Sequence, residues 1–138
     1  MGLWQRIRDH FITDIEVVLE QPFDAPFREV ASSTVGGGAL STFGQANRLR
    51  WVFHGGHPGN GTHVVLENAC GDRLTIRRTS SGSVKLDQHD PRAGTQRGTS
   101  VDVSIGGTVS LRLGGLSFTV RRFRHKYILA FFQARPAA

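Results

Sequence analysis

The feature that most constrains the fold of this chain is a two-residue alternation of apolar and polar side chains, which recurs from about residue 28 onward. Five runs show it, at residues 49–53, 74–76, 101–105, 109–113 and 116–120. Successive side chains of a β-strand point to opposite faces of the sheet, so each run predicts a half-buried strand. The alternation therefore predicts a mainly β protein.

Glycine pairs separate several of these runs. Gly106-Gly107 and Gly114-Gly115 are typical of two-residue hairpin turns, which need positive φ. Residues 99–133 are therefore predicted to form a four-stranded antiparallel meander whose last strand is 127–132. Upstream, residues 70–72 and 80–83 are predicted to close two further turns. Longer loops are expected at residues 32–47, 54–63 and 87–98.

The chain of 138 residues is long enough for one hydrophobic core. About eight strands in this length predict an antiparallel β-sandwich or a small barrel. We expect two parts, an amphipathic α-helix at residues 1–20 and a single β domain at residues 21–138.

The N-terminal segment shows a different period. Its apolar residues recur at i, i+3 and i+4, as on one face of a helix, and Pro22 and Pro26 are predicted to end that helix. We interpret the face as a partner-binding surface. The residues concerned are Leu3, Trp4, Ile7, Phe11, Ile15, Val18 and Leu19. Two arginines and four acids give residues 1–20 a net charge of −2, which argues against direct insertion into an anionic membrane.

The same segment resembles the N-terminal leader of a bacterial SPFH-domain family often labelled "virion core protein". The resemblance rests on Met1-Gly2-Leu3-Trp4, Ile7, Phe11-Ile12, Asp14-Ile15-Glu16 and Leu19. It covers about 20 residues, and residues 21–138 do not align with that family. The resemblance implies a docking or assembly helix in a membrane-associated scaffold, and it implies nothing about the β domain.

The formal net charge of +6 makes anionic partners a class to consider. No acidic residue follows Asp102, and basic and aromatic side chains intermix near the C-terminus, where they could contact phosphates and stack on bases. Alternation places Arg121 and Phe123 on one face of the strand and Arg122 and Arg124 on the other. The candidate nucleic-acid-binding residues are Arg112, Arg121, Arg122, Phe123, Arg124, Lys126 and Tyr127.

Histidines suggest a third class of function. His54, His57 and His63 lie in a glycine-rich segment, and imidazole is a common zinc or copper ligand. Their spacing matches no rigid metal-binding template. Residues 87–90 could supply acid–base groups, although a solvated turn explains them equally well. Cys70 has no disulfide partner and is interpreted as a buried or half-buried structural thiol.

These observations favour a non-enzymatic protein-interaction or assembly module, oligomeric or part of a scaffold, with a docking helix and no cofactor. The first alternative is a nucleic-acid-binding β domain that uses the basic C-terminal hairpins. The second alternative is a small metal-dependent enzyme at the histidine loop. No signal peptide and no apolar run of about 18 residues is present, so a cytoplasmic location is expected.

Overall fold

The computed structural model describes residues 13–21, 26–33, 39–45, 47–54, 62–80 and 82–124. These residues form ten strands. In chain order they are β1 (Thr13–Glu20), β2 (Arg28–Ser33), β3 (Ala39–Gln45), β4 (Arg48–His54), β5 (His63–Glu67), β6 (Arg73–Ser80), β7 (Ser83–Asp90), β8 (Thr95–Asp102), β9 (Thr108–Leu113) and β10 (Leu116–Arg124).

The strands form two five-stranded antiparallel sheets. Sheet A has the order β3-β4-β1-β10-β9, and sheet B has the order β2-β5-β6-β7-β8. One face of each sheet contributes to a shared hydrophobic core, in which Trp51, Phe53 and Phe118 are the largest fully buried side chains. The mainly β prediction is confirmed, and the arrangement is sandwich-like.

Inward-facing residues of sheet A come from the alternation that the sequence shows. Val17, on β1, lies directly between Trp51 of β4 and Val120 of β10, and all three are buried. In sheet B the corresponding row joins Ile76 to Val64 and Leu86. Burying a side chain of this size contributes about 1.5–3 kcal/mol, so these rows are the main source of stability.

The helix prediction is wrong for residues 13–20, which form the central strand of sheet A. Seven of its eight residues are buried, because neighbouring strands flank it and both of its faces are covered. A strand buried on both faces loses its simple alternation, which is why its apolar residues also matched a helical period. The β-branched residues Ile15, Val17 and Val18 favour the strand. Residues 1–12 lie outside the described residues.

The predicted meander is only partly correct. The Gly114-Gly115 turn does close the β9–β10 hairpin, with φ of 55° and 83°. The other glycine pair instead links β8 in sheet B to β9 in sheet A. There Gly106 N donates to Arg122 O at 2.8 Å and Gly107 N donates to Ser104 O at 2.8 Å. The predicted last strand, 127–132, lies outside the described residues.

The predicted turns at residues 70–72 and 80–83 are confirmed, since they separate antiparallel neighbours. Two of the predicted loops are largely strand. β3 occupies residues 39–45 of the first, and in the second β7 extends to residue 90 while β8 begins at residue 95. Polar residues on both faces of β7 and β8 concealed these two strands, because neither lies entirely against the core. None of the described residues forms a helix with the length and apolarity needed to cross a bilayer.

Candidate interaction surfaces

The outer face of sheet A buries acidic side chains. Asp14 is 3% exposed and Glu16 is 9% exposed, although both point away from the core. Glu16 Oε2 accepts a hydrogen bond from Arg50 Nε at 2.6 Å and another from an Arg121 Nη at 3.4 Å. Charge-assisted hydrogen bonds of this kind are stronger than neutral ones. The buried charge of Glu16 is therefore neutralised by arginines of the neighbouring strands β4 and β10.

A buried arginine joins the two sheets at one end of the sandwich. Arg78 on β6 is 5% exposed, and its guanidinium donates to four backbone carbonyls. Those carbonyls belong to Thr13, Phe53, His54 and Ser80. Burial lowers the pKa of Arg78 to about 10, against the opposing effect of the Asp14 carboxylate. The group serves the structure, because it satisfies carbonyls of both sheets.

The outer face of sheet B, by contrast, is polar and largely exposed. The strand register defines three rows that cross the five strands from β2 to β8. The first row is Arg28, Glu67, Arg73, His89 and Gln96. The second is Ala31, Val65, Thr75, Asp87 and Gly98. The third is Ser33, His63, Arg77, Lys85 and Ser100. We call these fifteen residues the open face.

Like charges meet on the open face. Arg77 and Lys85 are directly opposite one another on β6 and β7, and both are exposed. Among the described residues, no ion pair joins either of them to an acid. Like charges at directly opposed positions destabilise a sheet. This destabilising pair makes the row that contains Arg77 and Lys85 a candidate binding surface.

Among the described strands, β9 is the edge strand of sheet A that carries the clearest apolar row. Val109, Leu111 and Leu113 point toward the core but are only half-buried. The opposite side of the strand presents Ser110 and Arg112, which are exposed. The β9–β10 register runs without a shift. β9 is therefore a regular edge with incompletely buried apolar side chains.

The structure disperses the predicted C-terminal basic set. Arg121 lies on the outer face of sheet A, is paired with Glu16 and has its guanidinium 5.0 Å from the centre of the Phe123 ring. Arg122 points inward and donates to Thr13 Oγ1 and to Val103 O. Arg112 and Arg124 are exposed at opposite ends of the hairpin. The predicted alternation along β10 is confirmed, and Lys126 and Tyr127 lie outside the described residues.

Two of the three histidines, His54 and His63, lie in different sheets. His54 ends β4 in sheet A, where its Nδ1 is 3.4 Å from Asp14 Oδ2. His63 begins β5 in sheet B, and its partners in the register are Ser33 and Arg77. His57 lies outside the described residues. Within the part of the chain that the structure describes, no three histidine, cysteine or acidic side chains form a group able to hold a metal ion.

The remaining candidate residues are the 87–90 segment and Cys70. Residues 87–90 belong to β7, so Asp87 and His89 lie on the open face while Gln88 and Asp90 point inward. Cys70 is exposed in the β5–β6 turn, so the prediction of a buried or half-buried thiol is wrong. Its place in a tight turn explains the exposure, because Cys70 N donates to the Asn68 side chain.

A small cavity of about 210 Å³ lies beside the β9–β10 turn. Asp72 Oδ1 and Gln88 Oε1 are buried there without a hydrogen-bond partner among the described residues. Gln88 packs against Gly114, leaving no space for a Cβ atom at that position. Buried acceptors of this kind commonly bind water. Sequence reasoning missed this cavity, because it depends on contact between strands of different sheets.

Comparison of the chain with protein-family models, with curated proteins and with solved structures finds no match. The resemblance of residues 1–20 to the SPFH-domain family therefore stays a prediction.

Proposed function

We propose that this protein is a non-enzymatic assembly module that self-associates by pairing β9 with β9 of a second copy. One observation carries the proposal: β9 is a regular edge strand whose core-facing row of Val109, Leu111 and Leu113 is only half-buried. An edge strand presents unpaired backbone N–H and C=O groups that can pair with another strand. Adding a strand would also cover the remainder of the apolar row.

The sequence of β9 suits antiparallel pairing with itself. If Leu111 lies opposite Leu111 of the second copy, Val109 lies opposite Leu113 at both ends of the pairing. On the other side of the strand, Ser110 then lies opposite Arg112, so no two charges of the same sign are directly opposed. Apolar side chains that meet across strands contribute roughly 0.2–1 kcal/mol per pair. A two-fold interface of this kind is the commonest among homo-oligomers.

The backbone geometry supports the same pairing. A two-residue hairpin loop makes Leu113 and Leu116 the closing hydrogen-bonded pair. Hydrogen-bonded and non-hydrogen-bonded pairs then alternate along the ladder, so Leu111 bonds to β10 while Ser110 and Arg112 direct their backbone groups to the open edge. Those are the groups that a second β9 would bind.

The two edges of sheet B carry features that oppose strand addition. β2 has a register shift between Glu29 and Ala31, and Glu29 is an acid on its core-facing side. β8 carries Arg97 on its core-facing side. Bulges and inward-pointing charges are known protections of edge strands. β9 has neither, so of these three edges it is the one suited to strand addition.

The test is the solution mass of the full chain by size-exclusion chromatography with light scattering. We expect the unmodified protein to have twice the 15.1 kDa mass of one chain and Leu111→Lys to have the mass of one. Ser110→Pro removes an N–H from the open edge without altering the apolar row, and it should also give one chain. Thr99→Lys places the same charge on the core-facing side of β8 and should leave the dimer intact.

Circular dichroism shows whether each variant still folds. An unmodified protein that stays a single chain at every concentration tested contradicts the proposal. So does a dimer that persists in both folded β9 variants.

A further inference from the structure

The open face of sheet B gathers positive charge that the fold itself does not neutralise. Arg77 and Lys85 are directly opposed, which places their Cβ atoms about 5 Å apart. His63 lies on the other side of Arg77 in the same row. An anion bound over this row would replace a repulsion with an attraction.

The acids of the open face are directed elsewhere. Glu67 Oε1 accepts a hydrogen bond from an Arg73 Nη at 2.7 Å. Arg73 lies on β6, four residues before Arg77. The Asp87 carboxylate lies over Gly98 on β8, on the side of β7 away from β6. A Cβ atom at position 98 would collide with it, so glycine permits this orientation. Neither acid therefore neutralises the pair formed by Arg77 and Lys85.

The cations extend along the strands as well as across them. Arg73 and Arg77 are on the same face of β6, about 13 Å apart at the usual rise of a strand. Arg28 continues the first row toward β2. A ligand that contacts the whole set must carry several negative charges spaced along an extended chain.

The chemistry of the face selects among polyanions. Arginine binds phosphate oxygens through paired N–H donors. The open face holds no Phe, Tyr or Trp on which bases could stack, and its apolar members are only Ala31 and Val65, of which Val65 is half-buried. Base stacking and insertion into a bilayer both require more apolar surface. Contact with a phosphate backbone requires only the cations.

We infer that the open face binds the sugar–phosphate backbone of a nucleic acid without sequence preference, with Arg77 and Lys85 at its centre. This surface is distinct from the C-terminal basic residues and from the β9 edge. Three or four phosphate contacts predict that the logarithm of the binding constant falls with the logarithm of salt concentration with a slope of about −2 to −3.

The test is fluorescence anisotropy of a labelled thirty-nucleotide oligo(dT) with the full chain at several salt concentrations. The double variant Arg77→Glu/Lys85→Glu should bind at least about tenfold more weakly and make the salt slope less steep by about 1.4, the value for two lost phosphate contacts. The control Arg48→Glu/Arg124→Glu makes the same change in formal charge on sheet A, where both residues are exposed and lie outside the β9 edge. It should bind almost as well as the unmodified protein. Arg77→Lys/Lys85→Arg keeps the charges and should preserve binding.

Several outcomes would overturn the inference. Absence of binding by the unmodified protein is one, and equal loss in the two charge-reversal variants is another, because it indicates a dependence on net charge alone. Loss confined to the sheet A variant would assign binding to the C-terminal surface. Tighter binding to polyglutamate or to phosphatidylserine vesicles than to the oligonucleotide would indicate an acidic protein or a membrane. Light scattering on the same samples separates this result from the assembly proposal, since the open-face variants should keep their oligomeric state.

Discussion

The two sheets of this sandwich treat charge on their outer faces in opposite ways. On sheet A, Glu16 is buried between Arg50 and Arg121, and Asp14 lies beside His54. On sheet B, Arg77 faces Lys85 in solvent, while Glu67 pairs with Arg73 and the Asp87 carboxylate lies over Gly98 of β8. Both faces are built from the same alternating pattern, so the pattern does not decide which face is neutralised.

The difference teaches where stability and function are to be sought. A buried carboxylate must be paired, because an unpaired one costs several kcal/mol. An exposed pair of cations costs much less, since water and salt screen it. Natural selection can therefore retain the repulsion on sheet B if a ligand uses it, whereas the pairs on sheet A are required by the fold. Three comparisons between variants probe this contrast.

The largest effect is expected at Arg78, the residue that joins the sheets. Arg78→Met removes the donor of four hydrogen bonds and leaves carbonyls of Thr13, Phe53 and His54 without it. Unsatisfied buried groups cost about 1–3 kcal/mol each, partly offset by the removal of a desolvated charge. We expect a loss of about 3 kcal/mol in the free energy of unfolding, measured by urea denaturation.

Arg77→Met is the matched control, because Arg77 is the preceding residue on β6 but points to solvent. Its free energy of unfolding should change by less than about 0.5 kcal/mol, as is usual for surface sites. If both variants lose similar stability, Arg78 does not hold the sheets together.

A smaller loss is expected at Glu16. Glu16→Gln keeps the shape of the side chain but removes the charge that Arg50 and Arg121 share. Because the Glu16 side chain is only 11% exposed, we expect its free energy of unfolding to fall by about 1–3 kcal/mol. Glu67→Gln alters the exposed ion pair with Arg73 on the open face and should cost less than about 1 kcal/mol. Equal losses in urea denaturation would contradict the contrast between the two faces.

β6 and the β9–β10 hairpin could be predicted from the sequence, because those strands keep one face in the core and one in water, whereas parts of β7 and β8 were predicted as a loop. The central strand β1 could not be predicted. Flanked by β4 and β10 and buried on both faces, it has Val17 and Val18 in succession, which suits a helical period as well as a strand. The glycine pair at residues 106–107 was predicted to close a hairpin within one sheet, but it links the two sheets. Local turn chemistry does not reveal which sheet the next strand joins.

The candidate surfaces were harder to predict than the strands. Arg77 and Lys85 both stand in predicted strand segments on either side of the predicted turn at residues 80–83. Their opposition depends on the register, which shifts between Arg78 and Ser80 and cannot be read from spacing alone. The division of the basic segment at residues 121–124 between the two faces of sheet A was, by contrast, predicted from the alternation and is confirmed.

The smallest change in the free energy of unfolding is expected for the Arg77–Lys85 pair, and it tests whether the repulsion between these two residues serves binding. Arg77→Glu places an acid directly opposite Lys85, and Lys85→Glu places one opposite Arg77. Each single variant should raise the free energy of unfolding by roughly 0.2–1 kcal/mol, because it converts a like-charge pair into an opposite-charge pair. The double variant restores a like-charge pair and should fall back toward the unmodified protein, so the two single effects should not add in a double-mutant cycle. The gains should shrink at high salt, as expected for exposed charges.

Single variants that are more stable yet bind oligo(dT) less well would mean that the repulsion serves binding at the expense of the fold. Single variants that lose stability would show that Arg77 and Lys85 are neutralised within the chain and that the open face is no different in kind from the face of sheet A.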